Sequence, residues 1–229
     1  MLQSSDILTF NDFDWRREVF DFFSKDMTSE APAFPCVFGA TGFIRGQLRY
    51  SFLEDTGQES LRQLSEALHQ YLKIGRDLGP YTSFIVFFNI DRSDDMAAYE
   101  QLFWDILNRL HRLDPTEWPA SIPTDPEDPK WEFSFAGEPM FVVCNTPAHE
   151  LRRSRSSSTF MLTFQPRWVF EGVTEQQIMH VRKLLKSYDQ LPQFPFLGTY
   201  GESVNRSWVQ YFMPDTNKVI PKACPFHHK

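Results

Sequence analysis

The stretch YTSFIVFFNI, residues 81–90, decides the fold that the sequence predicts. It is rich in β-branched and aromatic residues, which fit a pleated strand, and it has no polar face. A strand that is apolar on both faces is typical of the interior of a sheet. We therefore expect residues 81–90 to form a central strand, around which the other elements pack.

Helical patterns lie on both sides of this strand in the sequence. Before it, leucines recur at helical spacing and predict a helix over residues 60–72, ended by the glycines that follow. After it, Ser93, Asp94 or Asp95 can cap a second helix that runs to about Leu113. Each helix has one apolar side, so each is expected to pack on the sheet.

The second half of the chain predicts strands that helices do not separate. WEFSF (131–135) and PMFVVCN (139–145) predict a hairpin, while TFMLTF (159–164) and SWVQYF (207–212) predict two further strands. Because strands and helices do not alternate, a doubly wound parallel sheet is not expected. The sequence predicts an α+β fold, with a mixed or mainly antiparallel sheet and helices packed on one side of it.

Shorter patterns predict the remaining organisation. One domain is expected to span residues 1–229, with an N-terminal helical extension over residues 1–30 and a C-terminal tail over residues 213–229. The other predicted elements are an amphipathic helix over residues 15–23, a glycine-rich turning loop over residues 39–46, a strand over residues 46–52, and a helix that the capping box of Thr174 and Gln177 begins.

Charge and motif content exclude several classes of function. The 229 residues include 23 Lys and Arg against 30 Asp and Glu, a formal charge of −7. This balance argues against non-specific nucleic-acid binding, which depends on clustered cations. No basic, apolar leader and no long apolar run is visible, so we expect a soluble cytoplasmic protein that is not bound to membranes. P-loop, GxGxxG, GxSxG and HExxH motifs are absent.

The residues that follow the predicted hairpin form the strongest candidate site. His149 lies just after a strand, and Arg152, Arg153 and Arg155 lie within six residues of it. Two interpretations stay open: a solvated basic loop, or an anion clamp beside a metal-ligating imidazole. Arginine suits such a clamp because its planar fork donates two parallel hydrogen bonds to a carboxylate.

The cysteines and the aromatic residues carry weaker signals. Cys224, near the C-terminus, is either an inert end or a thiolate that a cation or metal would stabilise. Cys36 and Cys144 are expected to be small buried hydrophobic residues. The 23 phenylalanines indicate a ring-rich interior, which suits a pocket for a flat apolar molecule.

Four separated stretches resemble the YqcI/YcgG family, and in particular its branch of haem-dependent N-hydroxylases. These stretches, in order, are FPCVFG (34–39), GQLRYSF (46–52), the block from EFSF to VFE (132–171) and CPF (224–226). Within the block, CNTPAHELRRSR stands where many members carry a GLHPxSSRxxRR-like stretch, so the histidine follows the proline instead of preceding it. The resemblance covers most of the chain.

The resemblance implies an enzyme that binds haem b and uses O2, with electrons from an external donor such as a reductase or ferredoxin, to hydroxylate a guanidine or amine nitrogen. The expected axial ligand of the iron is His149, with Cys224 as the alternative. The cations expected to hold the haem propionates are Arg49, Arg152, Arg153 and Arg155. The carboxylates expected to bind a guanidinium or amine substrate are Glu132 and Glu138.

Two other functions fit the same sequence. The first is a non-catalytic haem-binding sensor or carrier, which would share the pocket but lack turnover. The second is a metal-free acidic protein that acts through protein partners, in which the aromatic residues would form only a core. A homodimer is compatible with each of these functions.

Overall fold

The computed structural model describes residues 1–90, 95–218 and 223–229. In this part of the chain the helices are α1 (Ser4–Ile7), α2 (Trp15–Met27), α3 (Val37–Ile44), α4 (Gln58–Leu78), α5 (Met96–Leu113), α6 (Glu175–Tyr188) and α7 (Ser207–Tyr211). The strands are β1 (Arg49–Leu53), β2 (Phe84–Phe88), β3 (Phe133–Phe135), β4 (Glu138–Asn145) and β5 (Met161–Pro166). Two short 3₁₀ helices, Arg153–Arg155 and Arg167–Phe170, adjoin β5.

The five strands form one mixed sheet in the order β1-β2-β5-β4-β3. β1 and β2 are parallel and are connected through α4, whereas the other neighbouring strands are antiparallel. All five residues of β2 are buried, and the strand lies between β1 and β5. The predictions of an inner strand at this position and of an α+β fold are therefore confirmed.

One face of the sheet is covered by α4 and α5. Phe84, Val86 and Phe88 of β2 join the apolar sides of these two helices in the larger hydrophobic core. Asp95 caps α5 by accepting a hydrogen bond from the amide of Ala98. The alternative caps, at positions 93 and 94, lie outside the described residues.

The opposite face of the sheet carries a second core, built on α2. Phe20 and Phe23 of α2 pack edge-on against Tyr50 of β1, and Phe23 also contacts Phe87 of β2. The expectation of helices on one side only was therefore wrong. The sequence pattern of β2 explains this, because Ile85 and Phe87 point away from the first core and also need cover.

Three local predictions were also wrong. Residues 37–44 form α3 instead of a loop, and Gly42 lies in it because a side chain there would collide with the carbonyl of Tyr81. The helix α4 continues through Gly75 and ends at Gly79, whose φ of +118° suits glycine. Residues 207–211 form the buried helix α7, not a strand, because all-round burial erases the periodicity that distinguishes the two.

Both ends of the described chain contact the sheet or its helices. Leu2 exchanges two backbone hydrogen bonds with Tyr50 of β1. Near the C-terminus Phe226 is buried, and the side chain of Asn108 on α5 donates to the carbonyl of Pro225 and accepts from the amide of His227. Within the described residues, no helix is long and apolar enough to cross a membrane.

Candidate functional site

A cavity separates α6 from the face of the sheet that α2 partly covers. The apolar residues of α6, Ile178, Val181 and Leu185, line this space together with residues of α3 and β5. Its volume is about 420 Å³, which lies within the roughly 300–1,000 Å³ of small-molecule sites. A smaller cavity of about 250 Å³ adjoins it beside α2 and shares part of its wall. The helix α6 is thus amphipathic, but its apolar side faces the larger cavity instead of packed protein.

The floor of the two cavities is formed by one face of β4 and β5. Along β4 this face carries Phe141, Val143 and Asn145, while the residues between them point into the larger core. The walls combine apolar and aromatic side chains with amides and arginines. The amide and cationic side chains involved are Asn145, Gln165, Asn205, Gln210, Arg155, Arg167 and Arg182. No carboxylate lines either cavity in the part of the chain that the structure describes.

Arg155 is the most unusual of these polar side chains. It is only 7% exposed and lines the smaller cavity. Its Nη2 donates to the carbonyl of Gln210 at 3.0 Å, but its Nη1 is buried without a hydrogen-bond partner among the described residues. Burial and the charge of Arg152 together lower the pKa of Arg155 to about 10, so the guanidinium stays protonated at neutral pH. A buried cation with an unused donor is costly unless an anion joins it.

Cys36 lies where α3 meets both cavities. It is the N-cap of α3, and its Sγ accepts a hydrogen bond from the amide of Gly39 at 3.4 Å. Its side chain lines the larger and the smaller cavity. Burial raises the pKa of the thiol, while the Gly39 amide and the charge of Arg155 act against that rise. The expectation of a buried hydrophobic residue is confirmed for Cys144, which is fully buried, but Cys36 is only half-buried and faces open space.

His149, the predicted iron ligand, lines neither cavity. It is 2% exposed, and its Nε2 lies 2.8 Å from the carbonyl of Met213. Because a carbonyl can only accept, Nε2 carries the proton, and Nδ1 accepts from the hydroxyl of Thr146 at 2.9 Å. Burial lowers the pKa of His149 to about 4. Both ring nitrogens of a neutral imidazole are therefore occupied within the protein.

The loop that contains His149 is held by hydrogen bonds to the protein, although Leu151 and Arg153 are exposed. Arg152 is 2% exposed, and its guanidinium donates to the carbonyl of Pro214 and to Oδ1 of Asn217. The carboxylate of Asp215 accepts hydrogen bonds from the backbone amides of residues 150 to 152. Arg153 lies over the ring of Tyr188 at 4.9 Å. Of the three arginines in this loop, only Arg155 reaches a cavity.

The other predicted cofactor residues lie away from the cavities. The Nη1 of Arg49 donates to the carbonyls of Gly46 and Leu48. Cys224 is half-buried against the larger core, and burial raises the pKa of its thiol to about 12. Neither side chain lines either cavity.

The two predicted substrate carboxylates are also separate from the cavity lining. Glu132 is fully buried and pairs through both oxygens with the guanidinium of Arg167, whose Nε lies 2.7 Å from Oε2. Arg167 in turn stacks on Tyr200 at 3.9 Å and lines the larger cavity. Glu138 begins β4, and burial raises the pKa of its carboxyl. Glu132 therefore holds a wall residue of the larger cavity in place.

Comparison with known proteins places these features in a family. A sequence model of the YqcI/YcgG family matches residues 23–227. The chain belongs to the YqcI/YcgG family. It is 44% identical to YcgG of Bacillus subtilis (strain 168) over 228 residues, which cover 94% of this chain and 89% of YcgG. YqcI of the same organism is 39% identical over 223 residues, with 93% and 87% covered.

A third relative carries a functional name. This chain is 32% identical over 225 residues to a Streptomyces lavendulae protein named "Putative N(omega)-hydroxy-L-arginine synthase DcsA". The alignment covers 93% of this chain and 84% of DcsA. No solved structure matches the chain.

Three of the family-like stretches meet at the cavities of this YqcI/YcgG protein. FPCVFG (34–39) contains Cys36 and Gly39, GQLRYSF (46–52) contains Leu48, and the block over residues 132–171 supplies β4, β5 and Arg155. The terminal CPF (224–226) instead packs against the larger core. The family match also includes every described residue that lines either cavity.

Proposed function

We propose that this YqcI/YcgG protein is an oxygenase that hydroxylates a nitrogen of a guanidine or amine, and that it holds haem b in the two adjoining cavities. The observation that carries the proposal is Arg155, a buried cation whose Nη1 lacks a partner at the wall of a largely apolar cavity. The relationship to DcsA, whose name specifies hydroxylation of a guanidine nitrogen, supports the reaction type.

The cavity residues fit a haem. A haem is a flat apolar macrocycle with two carboxylates, so its pocket needs apolar walls and cations at one edge. Phe38, Phe141 and Phe170 are among the apolar walls of the larger cavity. Arg155 would pair with one propionate, since an arginine fork and a carboxylate form the strongest of the common charge-assisted hydrogen bonds. Arg182, on α6, lines the larger cavity and would pair with the other propionate.

Haem, when bound, supplies the activation of O2 that the reaction requires. The overall balance is one N–H, one O2, two electrons and two protons giving one N–OH and one water, with the electrons from an external donor. We place this reaction in the cytoplasm, where reduced carriers are available; all three cysteines are free thiols.

The amides of the cavity wall would position the substrate. The side-chain nitrogens of Asn145, Gln165 and Gln210 donate to Ser154, Ser83 and Asn205. These hydrogen bonds fix each amide, so its oxygen is the group that it can offer to the N–H groups of a guanidine. Neutral acceptors bind a guanidine without the strong ion pair that a carboxylate would form.

The proposal is tested by haem binding followed by turnover. Titration with haemin should give a saturable Soret band, and incubation with L-arginine and smaller guanidines, O2 and a ferredoxin–reductase system should give a product heavier by one oxygen atom. In parallel reactions with isotopically labelled O2 the label should enter the product. A protein that acquires no bound haem spectrum at stoichiometric haemin would overturn the proposal.

A matched pair of variants tests the role of Arg155. Arg155→Met should weaken haemin binding at least about tenfold, because a desolvated charge pair contributes more than 1.4 kcal/mol. Arg153→Met changes a cation two positions away that stacks on Tyr188 and lines neither cavity, so its haemin affinity should stay unchanged. Equal affinities of the two variants would remove Arg155 from the haem site.

The second candidate is a non-catalytic haem sensor or carrier. One observation favours it: among the described residues no carboxylate lines the cavities to bind a guanidinium. Both candidates predict the same haemin titration, and turnover separates them. Bound haem with no oxygenated product from a broad panel of amines and guanidines would select the carrier.

A further inference from the structure

We propose that Cys36 supplies the axial thiolate to the haem iron. This inference rests on the proposed function, because it requires that haem enter the cavities. It replaces the two ligands that the sequence indicated, since neither His149 nor Cys224 lines a cavity.

The position of Cys36 distinguishes it from the other groups that could ligate iron. No histidine lines either cavity in the described part of the chain. Tyr81 and Tyr200 line the larger cavity alone, and the guanidinium groups of Arg45 and Arg167 lie over their rings. The thioethers of Met27, Met161 and Met213 line the smaller cavity alone. Cys36 lies at the wall that the two cavities share, so a ligand that spans both would pass its thiol.

The local backbone favours a thiolate at this position. Cys36 caps the N-terminus of the eight-residue helix α3, where the helix dipole and the free amides stabilise a negative charge. The amide of Gly39 already donates to Sγ. A side chain at position 39 would have its Cβ 3.2 Å from that sulfur, so glycine leaves the sulfur its space. Hydrogen bonds of this kind orient a metal-bound ligand and tune the metal.

Arg155 provides the independent sign that a ligand occupies this space. Like Cys36, it lines the smaller cavity. Only 7% of Arg155 is exposed, and its Nη1 has no hydrogen-bond partner among the described residues. A cation held there without a carboxylate needs an anionic ligand, which the haem propionate would be. The charge of the same cation acts against the rise that burial gives the pKa of Cys36.

A thiolate ligand also suits the proposed reaction. Thiolate donates electron density to the iron and so promotes cleavage of the O–O bond, which oxidation of an N–H requires. An imidazole ligand donates less. The assignment of Cys36 therefore matches the chemistry that the relationship to DcsA supports.

Spectroscopy of the haem-loaded protein tests the assignment without using turnover. The ferrous CO complex of the wild type should show the long-wavelength Soret band of thiolate ligation, and the ferric form a low-spin thiolate signal by electron paramagnetic resonance. Cys36→Ala should lose both signatures, and Cys36→His should retain haem with an imidazole-type spectrum. The matched controls Cys144→Ala, Cys224→Ala and His149→Gln should keep the wild-type spectrum.

The outcomes separate this inference from the proposed function. A wild type that binds no haem would overturn both. Bound haem whose spectrum changes in His149→Gln or Cys224→Ala, and not in Cys36→His, would overturn the Cys36 assignment and leave the haem proposal standing. Circular dichroism checks the folding of each variant, and Cys36→Ser, which keeps the size of the side chain, serves if Cys36→Ala does not fold.

Discussion

The two faces of the sheet differ in how closely the protein packs against them, and β4 shows the difference along a single strand. Met140, Val142 and Cys144 are fully buried in the larger core. The residues that alternate with them point to the other side, where Phe141 and Val143 border cavities of about 420 and 250 Å³. The same strand therefore presents a close-packed interior on one side and open space on the other.

The difference indicates which side carries stability and which carries function. Protein interiors are normally packed to the density of organic crystals, and voids larger than a water molecule are few. The side chains that line a cavity of several hundred cubic ångströms lack packing contacts on the side that faces it, and the cavities here are bordered by a buried arginine with an unpaired Nη1. The closed side must supply the stability that this arrangement forgoes.

The largest expected effect comes from a substitution on the closed side. Phe84 is fully buried, and its ring stacks on Tyr71 with centroids 5.4 Å apart. Phe84→Ala should lower the free energy of unfolding by about 3–5 kcal/mol, because the cavity cannot collapse inside the core. Urea denaturation measures this change. Phe13→Ala makes the same chemical change at a side chain that is 98% exposed and should be nearly neutral, so equal effects would contradict the comparison.

The sequence predicted some elements on each side of the sheet and missed others on each side. The burial of both faces of β2, the antiparallel hairpin and the capping box of α6 follow from local patterns, and the structure has all three. The periodicity of five buried residues does not identify α7, and the glycines of α3 indicate a loop where the structure has a helix. A sequence pattern records which residues avoid water, not whether protein or open space covers them.

The site shows the same limit. Arg155 was among four candidate arginines, but only the fold distinguishes it from Arg152, whose guanidinium is bonded to Pro214 and Asn217. His149 follows a strand as ligands often do, yet its partner Met213 is 64 residues away, so local sequence does not show that the ring is occupied. FPCVFG carries part of the family resemblance, but its glycine indicates a loop, so the helix that begins directly after Cys36 was not expected from the sequence.

The second prediction concerns pH. It tests whether His149 stays neutral in the packed part of the molecule. Burial holds the pKa of His149 at about 4, with Arg155 and Arg152 adding to the effect and Asp215 opposing it. The unfolded chain takes up the proton near pH 6.5. The contribution of neutral His149 to the free energy of unfolding is therefore fully present above that pH, and it is lost as the pH drops toward 4. His149 alone should contribute a loss of about 2 kcal/mol between pH 7 and pH 5.

His149→Gln separates this contribution from that of His111, whose pKa burial also lowers to about 4. Glutamine keeps a donor for the carbonyl of Met213 but does not titrate, so the variant should lose less stability than the wild type over the same pH interval. Urea unfolding at pH 7 and pH 5 gives both values. Equal losses in the two proteins would mean that His149 is protonated in the fold, which its contact with a carbonyl and a hydroxyl does not favour.

The smallest expected effect is the most direct test of the comparison, because it uses two adjacent residues of one strand. Val142 is fully buried in the larger core, whereas Val143 is half-buried and lines the smaller cavity. Val142→Ala should cost about 2 kcal/mol, since it removes two buried carbons and leaves a void. Val143→Ala should cost about 1 kcal/mol less, because it enlarges a space that already exists and creates no new one.

Haemin binding should show the opposite order of effects for these two variants. The haemin affinity should change in Val143→Ala and stay constant in Val142→Ala. If both substitutions cost the same stability without haemin, the open face is closed in solution, and the site must be sought elsewhere.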